Sequence, residues 1–168
     1  PDSLKAAQEI LEKLNLRPEI ARKAQLAGGP RHAIKRKNTE PYIVVGRDEE
    51  KDKQIGVDFI LPAMPWALKA LERAQSNKIN FGFAKIPCLT PEDLIIAKFF
   101  SLNDQADRFK DLDDLQQIFS NQKKLDLAYI SGQMKAFKLT VPYQIEKTVP
   151  KLLLKASKAI QKSFRRPM

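Results

Sequence analysis

Apolar residues at helical spacing open the chain. Leu4, Ala7, Ile10, Leu11 and Leu14 recur with a period of about 3.6 residues, and Asp2 or Ser3 can cap the helix they predict. The stretch from Leu16 to Pro30 is mixed and reads as helical at first, until Gly28-Gly29-Pro30 breaks it. Extended structure follows. His32 to Lys37, Tyr42 to Arg47 and Ile55 to Leu61 read as strands, and Asp48 to Lys53 is a charged hairpin connection, which together predict a small β-meander.

Pro62 ends the meander, and Pro65 pre-sets a first turn for a short helix to Gln75, with Trp66, Leu68, Leu71 and Ala74 as its apolar contacts. Phe81 to Ile86 reads as one more strand. Thr90-Pro91-Glu92-Asp93 is a helix-start signal, combining a cap oxygen, a proline with fixed φ, and acids at the positive end of the helix dipole. That helix is expected to reach about Phe100. Asn103 to Phe119, with Leu112, Leu115, Ile118 and Phe119 as its buried stripe, Leu125 to Lys138, and a segment starting near Pro150 predict three further helices. Strands followed by a run of helices make the class α+β.

A length of 168 residues suits one core, and no apolar run approaches the roughly 18 residues of a membrane span. A soluble, cytoplasmic chain with no membrane partner is therefore expected. One cysteine, Cys88, permits no internal disulfide, and with His32 as the sole histidine a structural zinc site lacks ligands, so any metal must be held by carboxylates. The net charge of +10 is concentrated at one end: residues 121–168 carry 11 Lys plus Arg against 2 Asp plus Glu, leaving 19 against 18 before them. This divides the chain into a core over residues 1–120 and a basic helical region over 121–168. Lys151, Lys155, Lys158 and Lys162 form one stripe on the last helix, followed by Arg165 and Arg166, while Leu152, Ala156, Ile160 and Phe164 form its apolar face. Such a stripe is a solvated helix face, a nucleic-acid-binding surface for RNA phosphates or, although short of aromatic anchors, a membrane-surface helix.

Two groups of residues carry candidate chemistry. Asp58 is an acid among hydrophobic strand neighbours, which must recover its desolvation cost from a cation or a metal. Lys98 sits amid Leu94, Ile95, Ile96, Ala97, Phe99 and Phe100, so its amine must reach a partner from a largely apolar segment. On the next helix, Arg108 and Asp111 can pair at i,i+3, and Lys110 and Asp114 at i,i+4.

Val57-Asp58-Phe59-Ile60, Ile86-Pro87, Thr90-Pro91-Glu92-Asp93-Leu94 through Lys98, and Arg108-Phe109-Lys110-Asp111-Leu112-Asp113-Asp114-Leu115 resemble the downstream half of AbiEii/AbiGii-type nucleotidyltransferase proteins. The resemblance covers about residues 55–120 and implies a nucleotidyltransferase-like small mixed sheet covered by helices, with a C-terminal helical extension. It implies transfer of a nucleoside monophosphate from a nucleoside triphosphate (NTP) to an RNA or protein acceptor, with Mg²⁺, in a toxin that has an antitoxin partner. By the same resemblance Asp58 is a metal-binding and catalytic carboxylate, Lys98 and Asp111 are catalytic, and Lys98, Arg108 and Lys110 hold the nucleotide. The family's strand bearing Asp-x-Asp would lie before Pro1. Gly28-Gly29 with Thr39-Glu40-Pro41-Tyr42-Ile43 echoes it, but Pro41 and Ile43 stand where acids are needed. An N-terminally incomplete chain is expected on this reading, and the alternative is a non-catalytic module of the same fold that binds RNA or a protein through its basic end.

Overall fold

The computed structural model describes residues 2–13, 17–20, 43–47, 56–60 and 66–164. The chain divides into two compact units, one within residues 1–68 and one built from residue 69 onward. Together they are α+β, and every strand pair among the described residues is antiparallel.

In the first unit α1 (Asp2–Lys13) packs on a three-stranded sheet of β1 (Arg17–Ile20), β2 (Ile43–Arg47) and β3 (Gly56–Ile60), in the order β1-β2-β3. Ala7 and Leu11 are buried, as the helical period requires, while Ile10 remains 45% exposed. The expected helical start after Leu16 is instead β1. Pro18 explains the difference, because it forces Arg17 into extended backbone and, lacking an N–H, is tolerated on an edge strand. The expected strand at His32 to Lys37 lies outside the described residues. β2 and β3 fall inside their expected spans and pair with Val45 opposite Asp58.

The second unit contains most of α2 (Ala67–Ala74), a hairpin of β4 (Lys78–Asn80) and β5 (Lys85–Pro87), and then α3 (Pro91–Asp104), α4 (Phe109–Asn121), α5 (Leu127–Phe137) and α6 (Lys151–Phe164). On α2 the buried positions are Ala70 and Ala74, whereas Leu68 and Leu71, expected as core contacts, are 61% and 47% exposed. The single strand expected at Phe81 to Ile86 is in fact the turn and second arm of the hairpin. Gly82 adopts φ +88°, a conformation that glycine reaches without a Cβ clash, and its N–H donates to Asn80 Oδ1 at 3.0 Å. The alternation of Phe81, Phe83 and Ile86 imitated a strand across this turn. At its base the Asn77 carboxamide donates to the carbonyls of Cys88 and Leu89 at 3.0 and 3.1 Å.

α3 is one turn longer than expected, and α4 begins at Phe109 rather than Asn103. Asn103 belongs to α3 because its side chain is engaged elsewhere. It donates to the carbonyls of Phe99 and Thr140 at 2.8 Å, and accepts from the Thr140 N–H and hydroxyl at 2.8 and 2.9 Å. Both amide hydrogens and the carbonyl oxygen are thereby satisfied. The segment that Asn103 holds is tied to α6 as well, since the buried Val141 N–H donates to Ser157 Oγ at 2.9 Å.

α3 packs against α4 and α5, and α5 packs against α6. Ile95, Phe99, Leu115, Ile130, Met134 and Leu153 are sealed from solvent at this junction. The basic region from residue 121 onward lies in the same compact unit as α3 and α4. On α6 the buried face is Leu153, Ala156, Ser157 and Ile160, while Leu152 and Phe164, expected on that face, are 44% and 42% exposed. Among the described residues no helix is long and apolar enough to cross a membrane.

Leu153 makes a direct test of this packing. Because its side chain is wholly buried, Leu153→Ala is expected to destabilise the second unit by about 3 kcal/mol, read as a lowered urea midpoint.

Candidate functional site

Two charged networks grow from α3, and each begins with a residue that has to be buried. At the start of the helix Thr90 is the N-cap, its hydroxyl oxygen accepting from the Asp93 N–H at 3.2 Å. The cap turns the Asp93 carboxyl inward, where it is only 2% exposed. An ionised carboxylate at such depth requires compensation. Arg73 of α2 supplies it with a two-pronged ion pair, Nε to Oδ2 at 2.9 Å and Nη2 to Oδ1 at 2.5 Å. The Tyr129 hydroxyl of α5 donates to Oδ1 at 2.8 Å, and the Thr90 hydroxyl donates to Oδ2 at 3.1 Å. Arg73 also donates to the Tyr129 oxygen, with its guanidinium carbon 4.8 Å from the ring centre.

The protonation of this group follows from its contacts. Burial pushes the Asp93 carboxyl up, but hydrogen bonds from Arg73, Tyr129 and Thr90 outweigh it and hold the group below the ordinary carboxylate value. Burial and the bond to Asp93 raise the Tyr129 hydroxyl to about 12. The hydrogen bond to Asp93 raises Arg73 further.

Five residues along, Lys98 leaves α3 on a different face, as a step of five on a helix dictates. Its amine donates to Asp111 Oδ1 at 2.6 Å and to Asp114 Oδ2, both on α4, and Arg108 Nε donates to Asp111 Oδ2. The partner that the apolar setting of Lys98 demanded is therefore the acid pair on α4. Burial lowers the Lys98 amine, but its bonds to Asp111 and Asp114 outweigh this and leave it above its ordinary value. Asp111 is displaced in the opposite sense: burial raises it, and the bonds from Lys98 and Arg108 bring it below the usual range. The Arg108–Asp111 pair expected at i,i+3 is present. The Lys110–Asp114 pair is not, because Asp114 turns to Lys98 while Lys110 faces solvent.

The two networks differ from what the sequence disclosed. Lys98, Arg108 and Asp111 are brought together as a group. Asp58 is in the first unit, on β3, and β3 is an edge strand of the described sheet, because β2 takes the middle by pairing on both sides. The Asp58 side chain, Arg165 and Arg166 lie outside the described residues. Arg73 and Tyr129 went unnoticed in the sequence, and Asp93 was read only as a favourable first-turn acid. The one available signal was its place three residues after the Thr90 cap, where a side chain can return toward the cap.

The chemistry open to the Lys98 network is limited by its own charges. Asp111 is bracketed by an ammonium and a guanidinium, and Asp114 already accepts from that ammonium, so neither offers a vacant anionic site to a divalent cation. Among the described residues no group of three or more His, Cys, Asp or Glu is placed to hold a metal ion. Comparison with protein-family models, with curated proteins and with solved structures gave no match.

Removing Arg73 leaves the Asp93 charge buried with only two hydroxyl donors. Arg73→Ala is expected to cost about 2 kcal/mol in urea unfolding, below the value for a sealed pair because Arg73 is 36% exposed. The pH dependence has two edges. Asp93 and Asp111, depressed in the folded state, contribute stability that is present above the unfolded carboxylate value near 4 and is lost as pH falls below it. Tyr129, raised in the folded state, contributes stability that is complete below about pH 10 and disappears as pH rises toward about 12. A tyrosinate absorbance titration is expected to show a late phase near pH 12 that Tyr129→Phe removes.

Proposed function

We propose that this chain belongs to a nucleotidyltransferase-like protein of the AbiEii/AbiGii toxin type, which transfers a nucleoside monophosphate from an NTP to an RNA or protein acceptor. What supports this reading is that four of the residues carrying the resemblance, Lys98, Arg108, Asp111 and Asp114, form one network. In such a transfer an acceptor oxygen forms a bond to the α-phosphorus, the bond to the bridging oxygen breaks, and pyrophosphate leaves. Mg²⁺ supplies charge neutralisation in this class of reaction. The acids of the Lys98 network do not fit that ion, and Asp58 by itself does not make a two-metal site. In this proposal Lys98, Asp111 and Arg108 are positioning residues that fix α3 against α4, and Asp58 is the acid assigned to the reaction.

A second reading has its own observation. Lys151, Lys155, Lys158 and Lys162 are all exposed, on the side of α6 opposite its buried face, and form a cationic strip that can hold RNA without any chemistry. The antitoxin partner rests on the resemblance, and the cytoplasmic setting expected from the sequence belongs to the same proposal.

Transfer is tested with Mg²⁺, α-labelled triphosphates and RNA or protein acceptors. Residues 1–168 alone are expected to transfer little or no label, because one strand acid is insufficient. Addition of a partner chain that supplies the paired acids is expected to restore labelling of an acceptor, and Asp58→Ala to abolish it. An absence of label with every nucleotide and acceptor would leave the holding module as the function. For the strip, replacing the four lysines by glutamine is expected to weaken RNA binding and to flatten its salt dependence by about 0.7 in log–log slope per lost phosphate contact. Unchanged affinity and slope would reduce the strip to a solvated surface.

A further inference from the structure

Beside the lysine strip the second unit has a groove of about 370 Å³, within the range of small-ligand sites. It opens between the end of α3, the segment joining α5 to α6, and the last turn of α6. Its chemistry is mixed in a particular way. Tyr143 stands at the groove with 80% of its surface exposed, and Phe164 on α6 is 42% exposed. Gln144 and Gln161 add two carboxamides, each able to donate and accept, while the Asn103 amide is fully engaged by Phe99 and Thr140. Lys138 caps α5 in the left-handed conformation at φ 55°, which brings its amine to the groove, 5.9 Å from the centre of the Phe164 ring.

Aromatic faces for stacking, amides for base edges and a cation for phosphate are the components by which proteins hold unstacked bases. The position of the groove on α6 supports the same occupant. At about 100° per residue, Gln161 falls between the buried face of Leu153, Ala156, Ser157 and Ile160 and the exposed face of Lys151, Lys155, Lys158 and Lys162. A strand following the lysines therefore meets the groove at the C-terminal end of the helix without crossing over it. The charge of the region agrees, since residues 121–168 hold 11 basic against 2 acidic side chains.

We propose that this groove receives one unstacked nucleobase of a single-stranded RNA whose phosphates lie along the α6 lysines, with Tyr143 as the stacking platform and Gln144 and Gln161 on the base edge. The proposal rests on α6 being an RNA-binding face. It adds a preference for single strands, because bases held in a duplex stack cannot enter the groove.

Fluorescence anisotropy with a short unstructured RNA, and with a duplex of the same sequence, tests it. Tyr143→Ala is expected to weaken single-strand binding about tenfold, the loss of one stacked base, with the salt slope unchanged. Tyr143→Phe keeps the ring and should bind like the unmodified chain, and duplex affinity should not respond to either change. Tyr143 is exposed, so its substitution leaves the fold intact, which circular dichroism verifies. If Tyr143→Ala and Gln161→Ala both bind single strands as the unmodified chain does, the groove is overturned while the lysine face stands. Equal weakening of heparin binding by Tyr143→Ala also overturns it, since heparin has no bases. Absence of any RNA binding at low salt overturns the groove and the lysine face together.

Discussion

The second unit depends on a carboxylate that cannot be left alone. Asp93 is buried to 2% exposure, and every group that compensates it comes from a different place: Arg73 from α2, Thr90 from the cap, Tyr129 from α5. Burying the acid thus joins three pieces of chain at one point. The same logic repeats along α3 at steps of five residues. Lys98 turns to another face and holds α4 through Asp111 and Asp114, and Asn103 turns again and holds the segment leading to α6. A step of five on a helix changes the face each time, so one helix serves three neighbours. Apolar packing of Ile95, Phe99 and Leu115 supplies most of the burial, and the polar ties select the arrangement in which it occurs.

How much of this could be read from the sequence depended on the range of each interaction. Local signals were legible: the Thr90 cap with Pro91 behind it, the α1 period, the β2 and β3 segments, and the Arg108–Asp111 pair three residues apart. Lys98 was legible in part, because an amine in an apolar run has to find an acid even when its identity is unknown. The Asp93 network was not, since Arg73 and Tyr129 lie 20 and 36 residues away and carry no mark that singles them out. Asn103 was misplaced for the same reason, its partner Thr140 being 37 residues on. The hairpin at Gly82 failed differently, as aromatic alternation on both sides of a turn has the period of a strand.

These distinctions bear on function because they separate charge that holds the fold from charge that faces solvent. Lys98, Asp111, Arg73 and Asp93 satisfy one another inside the protein, and in this account they do no chemistry. Lys151, Lys155, Lys158 and Lys162 face outward. Substitutions in the first set should act through stability and those in the second through binding of an anionic partner.

The most direct measurement of this division is the NMR signal of the Lys98 ammonium while a nucleoside triphosphate is titrated in. Held between Asp111 and Asp114, the ammonium protons should exchange slowly enough to be seen, and their resonance should stay in place as the triphosphate is added. A resonance that moves in proportion to nucleotide bound would put Lys98 on the phosphates and contradict its assignment as a positioning residue.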